Sequence, residues 1–234
     1  MRLRLSRPAA AAAGPLLLAL SLVACGSSAS SNDIASKSAP EILAATKLAA
    51  EDARTVHVSG TIDNGGRPVT LDVNLRAGKG ARGRISENGV SFELIQTGGS
   101  VYIKGSPAFY RRVGGATAAQ LLQGKWLKAP ANSAEFASLS SFTNLRDLVD
   151  TALTTEGKLA KSGTTTVNGQ PAVGLTNTSK GGTLYVATSG PPYPIEITKT
   201  GANGGKISFD RWNQPVTLAP PADALDITKL QSGH

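Results

Sequence analysis

The polar and apolar positions of this chain alternate with a period of two over much of its length. Val69, Leu71, Val73 and Leu75 are interleaved with Thr70, Asp72, Asn74 and Arg76. Val90, Phe92 and Leu94 repeat the pattern against Ser91 and Glu93, and Val56, Val58 and Ile62 share one parity. Such alternation gives a strand one apolar and one wet face, which predicts an antiparallel sheet covered on one side only. Asn-Gly occurs at 64–65, 88–89, 168–169 and 203–204, each time between candidate strands. That pair tolerates the positive φ of a type I′ turn, so a hairpin meander is predicted.

Two regions depart from period two. "PEILAATKLAAEDAR" (40–54) opens with Pro40 and Glu41, good helix-starting signals, and carries Ile42, Ala45 and Ala49 at helical spacing with Leu48 beside them. From Pro107 to about Leu153, "PAFYRRV" and "ATAAQLLQ" read as short helices. "SFTNLRDLVDTAL" reads as a longer one, with Phe142, Leu145, Leu148, Val149 and Ala152 on one side. "GKWLKAP" between them reads as another strand. Strands then resume through "KLAKSGTTTVNGQPAVGLTN", "GTLYVATS", "YPIEITKT" and "KISFDRW". The expectation is an α+β fold: an antiparallel sheet of about ten strands, with helices gathered on one side.

The first 24 residues follow another logic. Arg2, Arg4 and Arg7 precede an almost wholly apolar or small run, Ala9 to Ala24. It is short for a membrane span of ~20 apolar residues, and Gly14-Pro15 lies inside it, so a secretory signal peptide is expected. The run ends in "LVACG", which resembles a bacterial lipobox. That resemblance implies cleavage before Cys25 and diacylglyceryl attachment to its thiol. The alternative, a secreted protein with a stray cysteine, leaves the only cysteine of the 234 residues without a role. The expected organisation is a signal peptide over 1–24, a lipidated Cys25 with a Ser/Ala-rich flexible tether over 25–38, and one domain over 39–234. A tether of about 13 such residues spans roughly 20 Å.

Removing residues 1–24 lowers the formal charge from +8 to +5. A modest positive charge suits anionic headgroups or a plain solvated surface, and export makes nucleic acid a poor partner. Arg76, Lys79, Arg82 and Arg84 form a candidate basic patch, either a headgroup contact or a charged edge that resists aggregation. Raw material for catalysis is scarce. The two histidines are His57, expected to point outward, and His234, and no Gly-x-Ser-x-Gly elbow or phosphate-loop spacing occurs. No catalytic residue, metal site or cofactor is expected. Aromatics make up 5% of the chain; small and aliphatic inner positions leave room for an apolar cavity, although a compositional bias toward alanine and glycine gives the same pattern.

The order of segments adds a further signal. Lipobox, Ser-rich stretch, helix and meander are followed by "SVYIKG" (100–105), "FYRRVG" (109–114), "GKWLK" (124–128), "TTTVNGQPAVGL" (164–175), "GGTLYVATSGPPYPIEI" (181–197) and "ISFDRWNQPV" (207–216). This series resembles the LppX/LprAFG lipoproteins of mycobacteria and related actinobacteria. The resemblance implies a curved antiparallel half-barrel with helices covering its concave face, similar to the Lol carriers. It also implies a monomer anchored on the outer face of the cell membrane. Such a protein binds an acylated lipid or glycolipid in a cavity between sheet and helices and moves it onward, with a membrane exporter as a further partner. A sensor or interaction module without lipid cargo is the other reading, since fold alone does not fix function. The family has no motif for the cavity, so candidates come from position: Val73, Leu75, Ile85, Phe92 and Leu94 by strand parity, and Leu121, Leu122, Leu145, Leu148 and Val149 on the covering helices.

Overall fold

The structure, a computed structural model, describes residues 30–133, 143–201 and 203–231, with side chains as far as Lys229. The signal peptide, Cys25, Phe142 and His234 lie outside the described residues. The first half of the chain is α1 (Ala39–Glu51) and a meander of β1 (Thr55–Asp63), β2 (Pro68–Arg76), β3 (Gly80–Glu87), β4 (Val90–Thr97) and β5 (Ser100–Gly105), then α2 (Pro107–Leu122) and β6 (Trp126–Pro130). After α3 (Leu145–Leu153) a second meander runs through β7 (Leu159–Val167), β8 (Gln170–Asn177), β9 (Thr183–Ala187), β10 (Pro194–Lys199) and β11 (Gly205–Asp210). β12 (Ala224–Asp226) and α4 (Ile227–Gln231) close the described chain.

The twelve strands among the described residues form one open sheet, in the order β12-β6-β5-β4-β3-β2-β1-β11-β10-β9-β8-β7. Every pairing is antiparallel except β12 with β6. The fold is the expected α+β arrangement, with twelve strands rather than about ten; the three-residue β12 is too short to show a period. β1 stands in the middle, between β2 of the first meander and β11 of the second.

The register sets the inner face. Val58 lies opposite Val73 on one side and Phe209 on the other; Val173 opposes Val186, and Leu175 opposes Leu184. These side chains pack with Ile42 of α1 and Leu145, Val149 and Leu153 of α3 into the main core. A second cluster, Leu94, Val101 and Ile103, is covered by Phe109 at the start of α2, whose ring lies 5.4 Å from that of Phe92. Tyr110 beside it is fully buried. Its hydroxyl accepts from the Gly105 N–H and donates to the Lys125 carbonyl, both at 3.0 Å. Burial pushes its phenol pKa up, against a smaller lowering by the Gly105 bond.

Close packing on the inner face depends on glycine. Gly83 of β3 lies between Val73 and Leu94, and a Cβ there would stand 2.2 Å from the Asp72 carbonyl oxygen. Gly115 breaks α2 with φ 77° and ψ −170°, so the two short helices read from sequence form one element with a sharp corner. Of the four Asn-Gly pairs, Asn88-Gly89 and Asn168-Gly169 hold positive φ at both residues, as does Gly98-Gly99 between β4 and β5.

The N-terminal boundary differs from expectation. From Ser30 the segment read as tether is docked: Ser31 bridges Ser189, Ile34 is buried in the main core, and Lys161 Nζ donates to the carbonyls of Ala35 and Lys37. Helix α1 then starts from Ser38, whose N–H (2.9 Å) and hydroxyl (2.5 Å) both donate to the Glu41 carboxylate. Its buried stripe is Ala39, Ile42, Thr46 and Ala50, while Leu48 is 64% exposed. Thr46 stays satisfied by donating to the Ile42 carbonyl at 2.8 Å.

Two outcomes follow from this packing. Gly83→Ala should lower stability by about 1–3 kcal/mol through overpacking, read as a lower urea midpoint with an unchanged m-value. The Ser38 hydroxyl first, and the Ser38 N–H second, hold the Glu41 carboxyl below the usual carboxylate range. The cap is therefore intact above the ordinary carboxylate pKa and is lost as pH falls through the lowered one. The thermal-midpoint gap between wild type and Glu41→Gln should narrow as pH is taken from about 6 to about 3.

Candidate functional site

α3 ends at Leu153, and a cavity opens where the helix stops. It has a volume of about 570 Å³. Its floor is Leu159 of β7, Leu175 of β8, Leu184 of β9 and Ile197 of β10; Ala152 and Leu153 of α3 and Leu43 of α1 cover it. These are inner-face positions by register, since Ile197 opposes Leu184 and Leu184 opposes Leu175. The interior is therefore aliphatic, without an aromatic ring among its lining residues.

The rim is polar. Thr154, Thr155 and Glu156 follow α3, and Asn177, Lys180 and Lys199 face them from the strand ends. Asn177 ties the two sides together. Its side-chain amide donates to the Glu156 carbonyl at 2.9 Å, and its Oδ1 accepts from the N–H groups of Ser179 and Lys180 at 3.0 and 2.9 Å. Lys180 pairs with Glu156 across the opening. That contact, by hydrogen bonding first and charge second, holds the Glu156 carboxyl below the usual carboxylate range. Both side chains are well exposed, so the pair closes the rim only weakly.

A second recess of about 570 Å³ lies against the outer side of α1, lined by Pro40, Leu43, Ala44, Lys47 and the start of β7. Leu43 and Leu159 line both spaces. Both are aliphatic side chains, groups that change rotamer without breaking a hydrogen bond.

The residues nominated from sequence sit elsewhere. Val73, Leu75, Leu145 and Val149 are fully buried in the main core, with Leu148 packed against it. Leu94 centres the second cluster, with Phe92 against it, and Ile85 touches both clusters. Leu121, past the corner at Gly115, is 69% exposed, and Leu122 at the end of α2 is half-buried. None of the ten lines the 570 Å³ cavity. The residues that do line it were missed; strand parity in "PAVGL" and "TLYVA" was the signal for Leu175 and Leu184.

His57 lies on the outer face and is nevertheless buried. Its Nδ1 lies 2.6 Å from Asp210 Oδ1 and its Nε2 3.0 Å from Asp72 Oδ1. It has no place in the cavity, and no group of three or more His, Cys, Asp or Glu among the described residues is arranged to hold a metal ion. Among these residues no helix is long and apolar enough to cross a membrane.

With this geometry the chain can be set beside known proteins. No protein-family model matches it, and no curated protein is similar to it in sequence. Its structure is similar to that of LprF from Mycobacterium bovis, with a TM-score of 0.54 at 18% identity over 79% of this chain and 97% of that one. It is also similar to lipoprotein LppX from Mycobacterium tuberculosis, with a TM-score of 0.50 at 20% identity over 77% and 99%. The chain has the LppX/LprF fold, in agreement with the resemblance read from its segments.

His57 joins the two meanders through its hydrogen bonds to Asp72 and Asp210. His57→Phe should cost about 1–2 kcal/mol of stability by removing two hydrogen bonds. It should leave binding of a fluorescent fatty acid unchanged, measured by titration on the folded variant.

Proposed function

We propose that the chain is a lipoprotein, acylated at Cys25 and held on the outer face of the cell membrane, that carries the acyl chain of a lipid or glycolipid through the cell envelope. The observation that carries this reading is the aliphatic cavity under the end of α3, within the ~300–1,000 Å³ range of small-molecule sites. The fold shared with lipoprotein LppX supports it. An acyl chain in water costs ~0.8 kcal/mol per CH₂. A slot walled by Leu153, Leu159, Leu175, Leu184 and Ile197 removes that cost without any bond being made or broken.

A carrier needs a dry interior, a polar mouth that sheds the headgroup into water, and an anchor beside the membrane. The rim from Thr154 to Glu156, with Asn177, Lys180 and Lys199 opposite, suits the second requirement; "LVACG" suits the third. Movable Leu43 and Leu159 give the interior a means of enlarging for bulkier cargo.

Soluble protein of residues 26–234 should retain an acylated lipid after purification, seen as a mass increment by native mass spectrometry. Ala152→Trp, which fills the cavity from α3, should reduce the bound fraction about tenfold or more, equivalent to ~1.4 kcal/mol of binding. A lipid-free wild type that also fails to take up a fluorescent fatty acid would leave the sensor or interaction reading in its place.

A further inference from the structure

Residues 30–32 run along the sheet rather than away from it. Asn32 N–H donates to the Thr188 carbonyl at 3.1 Å, and Gly190 N–H donates to the Ser30 carbonyl at 3.3 Å. The Asn32 side-chain amide adds bonds to the carbonyls of Ala187 and Gly190 at 3.0 and 2.8 Å. This short strand is therefore fixed just past the end of β9. Cys25 precedes Ser30 by five residues, a stretch that spans at most about 18 Å when fully extended.

The register shows what else occupies this end of the sheet. Thr55 opposes Arg76, and Asn213 N–H donates to the Thr55 carbonyl at 2.9 Å, which brings the start of β1, the end of β2 and the residues after β11 together. Trp212 Nε1 donates to the Pro194 carbonyl at 3.2 Å, which adds the start of β10. The Tyr193 ring stacks on Trp212, 4.5 Å between centroids and 6° from parallel. Arg54, Arg76, Lys79 and Arg211 are exposed here. The first three form no ion pair among the described residues, and Arg211 reaches Asp210 at 3.4 Å. Asp52 is an exposed acid close by in the chain. The opposite end carries the turn from Asn177 to Thr183 and the rim of the cavity. From Thr183 to Ser189 is six residues of extended chain, about 20 Å.

We propose that the end of the sheet bearing Tyr193, Trp212, Arg54, Arg76, Lys79 and Arg211 is the surface that rests on the headgroups of an anionic bilayer. The inference rests on acylation of Cys25 as proposed above. Three independent features converge on this end. The chain from the anchor is too short to let it stray from the bilayer. An indole and a phenol sit together there, the side chains that favour the membrane–water interface. The cations left without acidic partners suit anionic lipid. The mouth of the cavity then lies a strand's length further out and is presented to whatever receives the cargo.

The test uses the mature acylated protein with one introduced thiol, Pro191→Cys at the anchor end or Thr200→Cys beyond β10 at the cavity end. With the Cys25 thiol acylated, that thiol alone takes an environment-sensitive dye. The labelled proteins are placed in phosphatidylcholine–phosphatidylglycerol vesicles containing a headgroup spin-labelled lipid as quencher. The dye at 191 should be quenched several-fold more than the dye at 200, and the contrast should shrink when Arg54, Arg76 and Lys79 are all replaced by Gln. Equal or reversed quenching, in protein whose N-terminal peptide carries the acyl mass, overturns the inference and leaves the anchor and carrier reading standing. A contrast indifferent to the triple replacement also overturns the proposed headgroup contact. A free Cys25 thiol in that peptide overturns both the inference and the anchor.

Discussion

The pairing of β1 with β11 makes one sheet out of two meanders, and the rest of the molecule depends on it. β1 joins the first meander through β2 and the second through β11. Its first four residues, Thr55 to Val58, are buried on both faces. On the inner face Val58 is flanked by Val73 and Phe209. On the outer face His57 reaches Asp72 of β2 with one ring nitrogen and Asp210 of β11 with the other. The seam is thus held by apolar packing on one side and by a polar bridge on the other. A buried imidazole would be costly unless both nitrogens found partners; here each meander supplies one.

Once the seam exists, the helices decide where the sheet is filled and where it is left open. α1 and α3 pack on each other and on the central strands, and α2 covers β4 and β5 through Phe109 and Tyr110. α3 is nine residues long and stops at Leu153. Beyond that point the inner faces of β7 to β10 still present leucine and isoleucine, which among the described residues only Leu43 of α1 reaches over. The cavity lies where the described helices leave this part of the sheet thinly covered. Apolar surface left open in this way is costly in water.

The fold was largely legible because β2 alternates over four full pairs and β4 from Val90 to Leu94, which leaves little choice of structure. The cavity was not legible, for reasons that can be assigned to residues. Register shifts fall between Ser162 and Thr164 in β7 and between Pro194 and Glu196 in β10. At the second of these, Ile195 joins Ala172 and Ala187 in a separate cluster while Ile197 packs with the main core. Two isoleucines of the same parity therefore lie on opposite faces, and counting by twos fails where the cavity lies. Leu121 was lost to the corner at Gly115, which turns the second half of α2 out of register with the first. In α1 the stripe passes through Thr46 and small alanines, which a hydrophobic count weighs poorly. Composition also misjudged residues 30–38: a run rich in serine reads as flexible, yet Asn32 and Ile34 fix it by specific bonds and burial.

The proposed anchor and the cavity are related through that docked segment. A long tether would decouple them, since a domain on a loose chain presents every face to a membrane in turn. A segment fixed to the sheet from Ser30 onward couples them through the strand on which it docks. Because residues 30–32 lie against the end of β9 and the rim of the cavity includes its beginning, the length of one strand separates the docked N-terminal segment from the rim. The rigidity of that strand, paired on both sides by β8 and β10, keeps the separation fixed. The docked N-terminal segment and the rim of the cavity thus lie at opposite ends of the same strand. The buried histidine lies on the other face of the sheet, where it joins β2 to β11 through Asp72 and Asp210.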